Sequence, residues 1–183
     1  VGAGSNERDF LCLTYGTGVG GAIIQDRAIY TGTNYSAGEF GHIITHGNGV
    51  QCTCGQKGCY EQYASTTALV KLVLEKTGEN LNGREIFSRL YDGDKIVKAA
   101  VKEWLNEIIY GLVTLIHIYN PACIITGGGI MNEDYINDYL NLMIKDNIMP
   151  PYRDLVIKKA ALGNKAGLLG AAYNALTRVG TQK

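Results

Sequence analysis

The stretch GEFGHIITHGNGVQCTCGQKGCYEQYAS, from Gly38 to Ser65, holds three of the five cysteines and two of the three histidines of the chain. Cys52-x-Cys54-x4-Cys59 places three thiolates within eight positions. Gly55 and Gly58 let the backbone fold tightly enough for all three to point inward. Zinc takes four ligands in a tetrahedron, and a structural site is usually closed by four protein groups. His42 or His46 supplies the fourth. The stretch is too polar and glycine-rich to be a core strand, so burial does not explain its cysteines. The CxC spacing lacks the CxxC pair of a redox motif. Cys12 and Cys123 lie inside apolar runs and read as small core residues. Glu39 and Glu61 stand at the edges of the cluster, and taken alone they read as solvated loop charge.

Two glycine loops form the next chemical feature. Gly16-Thr17-Gly18-Val19-Gly20-Gly21 follows a strand and fits the GxGxxG expression. A dinucleotide fingerprint needs a helix immediately afterwards, whereas Ala22-Ile23-Ile24 are strand-like, so a Rossmann unit is excluded. A glycine turn between strands still presents packed backbone N–H groups to phosphate, and Thr17 adds a hydroxyl. Gly127-Gly128-Gly129 lies between a strand and a helix, where bare backbone admits a flat ligand. One loop suited to phosphate and one suited to a base point to a nucleotide.

The elements that must position these groups follow from periodicity. Strands are expected at 10–15, 21–25 and 28–31, the last two joined by a tight turn at Gln25-Asp26-Arg27. Residues 32–60 read as loop. A helix is expected over 61–77, with Tyr63, Leu69, Val70 and Val73 or Leu74 on one side. Asn82 caps a short helix to about Leu90, with Glu85 as its capping-box partner. Asp94 opens a long helix to Tyr119, with Ile96, Ala100, Trp104, Ile108, Leu112, Leu115 and Ile116 at helical spacing. Asn120-Pro121 ends it. A strand at 122–126, a helix at 131–147, a strand at 154–158 and a helix at 165–178 complete the order. This is an α/β arrangement, a mixed five-stranded sheet flanked by helices.

Seventeen basic and seventeen acidic residues balance, which argues against bulk nucleic acid or an acidic membrane as partner. No apolar run reaches the roughly 20 residues that span a bilayer. Val1-Gly2-Ala3-Gly4 offers neither a basic segment nor an apolar signal region, and the odd cysteine count argues against a disulfide framework. A cytoplasmic setting is expected.

Together "LTYGTGVGGAII", "AGEFGH", "CTCGQKGCYE" and "IITGGGI", in that order, resemble the ROK family (repressors, open reading frames and kinases). The resemblance covers essentially the whole chain, and the combination of GEFGH with CxCGxxGC is its most specific part. It implies a ribonuclease-H-like, actin-like sugar kinase fold with a structural Zn2+ bound by a loop at 38–61. Carried over, the zinc ligands are His42, Cys52, Cys54 and Cys59, and His46 drops out. Glu39, His42 and Glu61 resemble the family's sugar-contacting residues. Carboxylates suit that role because charge-assisted bonds to paired hydroxyls are strong. A histidine with one nitrogen on zinc can offer its other N–H to a hydroxyl. Gly16, Thr17, Gly18 and Gly20 resemble the phosphate-binding turn for ATP with Mg2+. Gly127, Gly128 and Gly129 resemble the adenosine-side loop.

The family's Asp-x-Gly-Gly-Thr motif is missing from this sequence, and no Asn-Asp pair stands in the context in which the family carries its general-base Asp. The resemblance therefore implies that residues 1–183 form a C-terminal lobe without its N-terminal lobe, inactive or nearly so in isolation. The expected function is that of an ATP-dependent sugar kinase of the glucokinase or fructokinase kind, a homodimer acting on a small-molecule sugar. The alternatives are the sugar-sensing domain of a family repressor, for which nucleic acid would be a partner, and a zinc-stapled scaffold with no ligand site.

Overall fold

The computed structural model describes residues 2–163 and 165–180. Strand β1 (Phe10–Tyr15) lies at the centre of a five-stranded sheet, in the order β3 (Ala28–Tyr30), β2 (Val19–Gln25), β1, β4 (Cys123–Gly127), β5 (Val156–Lys159). β1, β2 and β3 pair antiparallel, whereas β4 and β5 run parallel to β1. The β2–β3 turn uses Asp26 and Arg27, both at positive φ, the twist that matches a two-residue hairpin. β2 begins at Val19, two residues before the expected start, so the glycine loop narrows to a turn at Gly16–Gly18.

Alternation along β1 sends Leu11, Leu13 and Tyr15 into the core beneath the helices. In register, Leu11 faces Ile23 on one side and Ile124 on the other. Cys12 points to the opposite face and is half-buried, while Cys123 is 1% exposed and fits its core reading.

The helices are α1 (Glu61–Ala64), α2 (Thr66–Thr77), α3 (Gly83–Tyr91), α4 (Lys95–Tyr119), α5 (Asp134–Asn147) and α6 (Lys165–Gly180). Asn82 and Glu85 form the expected capping box on α3, and Asp94 caps α4 by accepting from Ile96 and Val97 N–H. α4 buries Val97, Ala100, Trp104, Ile108, Leu112 and Leu115; Ile96 is exposed, because the first turn faces its neighbour, Val97, inward. On α2 the core position is Val73, and Leu74 is exposed. β4, α5 and β5 start within two or three residues of expectation, and a short 3-10 turn at Gly129–Asn132 precedes α5. Among the described residues no helix is long and apolar enough to cross a membrane.

The expected single helix over 61–77 is two. Ser65 has an extended backbone (ψ 163°), and its hydroxyl accepts Ala68 N–H, so it caps α2. That bond takes the donor that an unbroken helix would aim at Ala64 O. The indole Nε1–H of Trp104 donates instead to Ala64 O and Ser65 O, both at 3.0 Å. The break frees α1, a single turn that starts with Glu61, to be oriented independently of α2.

Candidate functional site

The turn Phe40–His42 packs against the start of β2. A Cβ on Gly41 would stand 2.3 Å from Val19 O, so only glycine permits this approach. The chain then runs through Ile44, which bridges to Cys59, and Gln51, which bridges to Lys57. The resulting hairpin is closed by Cys52 N–H to Gln56 O (2.8 Å) and Gly58 N–H to Val50 O (2.8 Å).

This hairpin gathers His42, Cys52, Cys54 and Cys59, whose ligand atoms all lie within 4.8 Å of one another. Cys54 Sγ is 3.5 Å from Cys59 Sγ, and Cys52 Sγ is 3.8 Å from His42 Nδ1. A tetrahedral zinc with Zn–S near 2.3 Å sets its sulphurs about 3.8 Å apart. The four groups therefore fit such an ion in chemistry and in spacing. As bare thiols they differ: burial pushes Cys59 up to about 12, while the exposed Cys54 is lowered, chiefly by a backbone hydrogen bond with Gln56. His46 is not part of the cluster.

Glu61 links this cluster to the glycine turn. Its Oε1 accepts from Cys52 Sγ at 3.4 Å and lies 4.0 Å from His42 Nδ1. Its Oε2 accepts the Val19 N–H at 3.4 Å. A cavity of about 370 Å³ is lined by Thr14 to Gly20, Gly128 and Glu61. Gly128 reaches it because its φ of 105° bends β4's end toward β1, where a Cβ would stand 2.1 Å from Tyr15 O. Thr17 is exposed at the rim, and its carbonyl accepts from Thr67 Oγ1 (2.9 Å), which ties the turn to α2.

The structure thus brings together Gly16, Thr17, Gly18, Gly20, Gly128 and Glu61. Gly127 and Gly129 flank the cavity without lining it, and Glu39 is exposed just before the Phe40–His42 turn. The sequence reading gave no role to Val19, whose N–H meets Glu61, nor to the Tyr15–Tyr60 pair beneath the site. Those hydroxyls lie 3.0 Å apart in the core, and Tyr60 OH donates to Ile108 O at 2.9 Å. Burial drives both phenols above their ordinary range. The one available signal was Tyr60 itself, an aromatic residue beside the last metal-loop cysteine.

The model of the ROK family matches residues 1–178. The chain is 33% identical to a glucokinase of Streptomyces coelicolor over 193 aligned residues, covering 93% of this chain and 60% of that protein. It is 35% identical to a beta-glucoside kinase of Listeria innocua, covering 96% and 59%. The crystal structure of a ROK family glucokinase from Streptomyces griseus, in complex with glucose and AMPPNP, superposes with a TM-score of 0.87. There the identity is 32%, over 93% of this chain and 61% of that one. The chain spans about 60% of the length of the curated relatives it matches.

Proposed function

The chain belongs to the ROK family, and from that premise we propose that it is the C-terminal lobe of an ATP-dependent sugar kinase. In the complete protein the γ-phosphoryl group of ATP, bound with Mg2+, passes to a sugar hydroxyl between the two lobes. The general-base Asp comes from the N-terminal lobe. One observation carries the reading: a carboxylate suited to sugar hydroxyls, Glu61, shares a cavity with a backbone turn suited to phosphate. Phosphoryl transfer is mostly positioning and charge stabilisation, and it needs those two binding functions side by side. A sugar-sensing repressor domain has less use for the phosphate turn.

Each group has a task in this reading. Glu39 and Glu61 accept from sugar hydroxyls through charge-assisted bonds. His42 turns Nδ1 to the metal and offers its other ring nitrogen to the sugar. The N–H groups of Gly16 to Gly20 and the Thr17 hydroxyl hold phosphate oxygens. Gly127 to Gly129 carry the adenosine side. His42, Cys52, Cys54 and Cys59 hold a structural zinc, which supplies rigidity to the loop that aims Glu61 and His42.

The test is ATP-dependent phosphorylation by the complete protein across glucose, fructose, mannose, N-acetylhexosamines and β-glucosides. Product with at least one sugar is expected, with negligible turnover by residues 1–183 alone. No product with any sugar, and no heat on titrating sugars or ATP, overturns the kinase reading.

A further inference from the structure

His46 shares the metal loop's composition but not its ligand cluster, and it has a different set of neighbours. Its ring stacks on Tyr63 of α1, with centroids 3.8 Å apart and planes 20° from parallel. Its Nδ1 lies 3.1 Å from Thr45 Oγ1. Its Nε2 lies 3.5 Å from Glu107 Oε2 on α4. That carboxylate oxygen is buried and, among the described residues, has no hydrogen-bond partner. Either tautomer satisfies the Thr45 contact, and the tautomer with its proton on Nε2 would place a donor 3.5 Å from the Glu107 oxygen. Tyr63 adds a second anchor: its hydroxyl accepts the Val50 N–H at 2.7 Å.

We propose that His46, Tyr63 and Glu107 form a strut that joins the metal loop to α1 and α4, and that they act as positioning residues for Glu61. The loop's own bonds close it on itself, through Thr45 and His46 N–H to Gly58 O and Gly49 N–H to His46 O. Tyr60 N–H to Ile43 O (2.9 Å) and Gln62 Nε2 to Cys52 Sγ (3.5 Å) tie the loop to the start of α1, and neither reaches from the loop to α4. α1 is a single turn cut off from α2 at Ser65, so it has little rigidity of its own. Tyr63 lies two residues after Glu61 on that turn. Clamping Tyr63 between His46 and the Val50 amide, with Glu107 behind His46, sets where α1 and therefore Glu61 point. A strut also explains why Glu107 is placed where burial raises its carboxyl pKa: this placement costs desolvation and serves position rather than stability.

The test is hydrogen exchange on this chain with Glu107→Gln, His46→Ala and their combination. The strut requires exchange of the amides within 44–58 to quicken by about tenfold in His46→Ala, a midrange coupling for contacting residues, and by a smaller factor in Glu107→Gln, whose side-chain oxygen still accepts a hydrogen bond. The double variant should be no faster than His46→Ala. In Glu107→Gln, α5 amides and the urea midpoint should stay at parent values, since an amide removes a buried charge. Unchanged exchange in 44–58 overturns the proposal, as does a rise equal to that in α5, which would report global loosening. His46→Gln, which keeps a donor of similar reach, should recover part of the protection. In the complete protein, which tests the kinase reading as well, Glu107→Gln should weaken sugar affinity and leave ATP affinity unchanged. If the parent binds no sugar, the kinase reading fails, and the exchange experiment alone decides the strut.

Discussion

Gly18→Ala tests whether the phosphate turn and the sugar carboxylate work as one cavity. Gly18 is not among the residues at positive φ, so alanine meets no backbone strain there. Its Cβ, however, would stand 2.4 Å from Glu61 Oε2. No carbon and oxygen sit that close without a bond, and the carboxylate is the movable partner. It must swing away, giving up the Val19 N–H at 3.4 Å and drawing Oε1 off Cys52 Sγ, also at 3.4 Å. A hydrogen bond to a charged group contributes about 1.5–3 kcal/mol. At about 1.4 kcal/mol per tenfold, one misplaced carboxylate–hydroxyl bond raises the sugar Kd by about 10- to 150-fold. The turn's backbone N–H groups survive the substitution, so the ATP Kd should change far less. Calorimetric titration of sugar and of a non-hydrolysable ATP analogue into the complete protein measures both. A thermal melt followed by circular dichroism should show an unchanged fold. In a Glu61→Ala background the methyl group has nothing to displace, and Gly18→Ala should add nothing. A sugar Kd within about twofold of the parent, against this arithmetic, would refute the shared-cavity reasoning, as would equal losses for sugar and nucleotide.

Metal analysis should find about one zinc per chain, as a single four-ligand site allows. Because the buried Cys59 thiol sits at about 12, binding at neutral pH must displace its proton. Zinc affinity, measured by chelator competition, should therefore rise with pH, and a flat profile would remove the cysteine thiols from the site. Glu39→Gln in the complete protein should weaken sugar more than ATP, measured by the same titrations; equal losses would count against its assigned role. Gly111→Ala puts a Cβ 2.3 Å from the Tyr60 ring, which is fully buried and cannot retreat. Overpacking of about 1–3 kcal/mol should outweigh alanine's better helix propensity of about 1 kcal/mol. Urea denaturation should show a net loss, and a gain would mean the core beneath the site is loose.

What the sequence disclosed was local. The β1 boundaries, the Asp26-Arg27 hairpin, the Asn82–Glu85 capping box and the span of α4 are each written in residues a few positions apart. The rejection of a Rossmann unit held for the same reason, since Val19 starts a strand directly after Gly18. What stayed hidden depends on distant partners. Apolar spacing runs through Ser65 without interruption, and the break there is completed by Trp104, forty positions from Ala64. The phase of α4's first turn, which hides Val97 and exposes Ile96, is set by packing that no single helix records. Spacing alone gave His42 and His46 equal claims; the family resemblance chose His42, and the fold puts His42 with the three cysteines and His46 with Tyr63 and Glu107.

The same distinction separates the two carboxylates that spacing made look equivalent. Among the described residues Glu39 is exposed and its side chain takes no hydrogen bond or ion pair, so a ligand meets it without displacing anything. Glu61 already accepts the Val19 N–H on one oxygen and contacts Cys52 with the other, and each oxygen keeps a further lone pair for a ligand. Glu61 is the residue at which the Cys/His loop and the glycine turn converge, although nothing in the sequence around it marks it as more than the partner of Glu39.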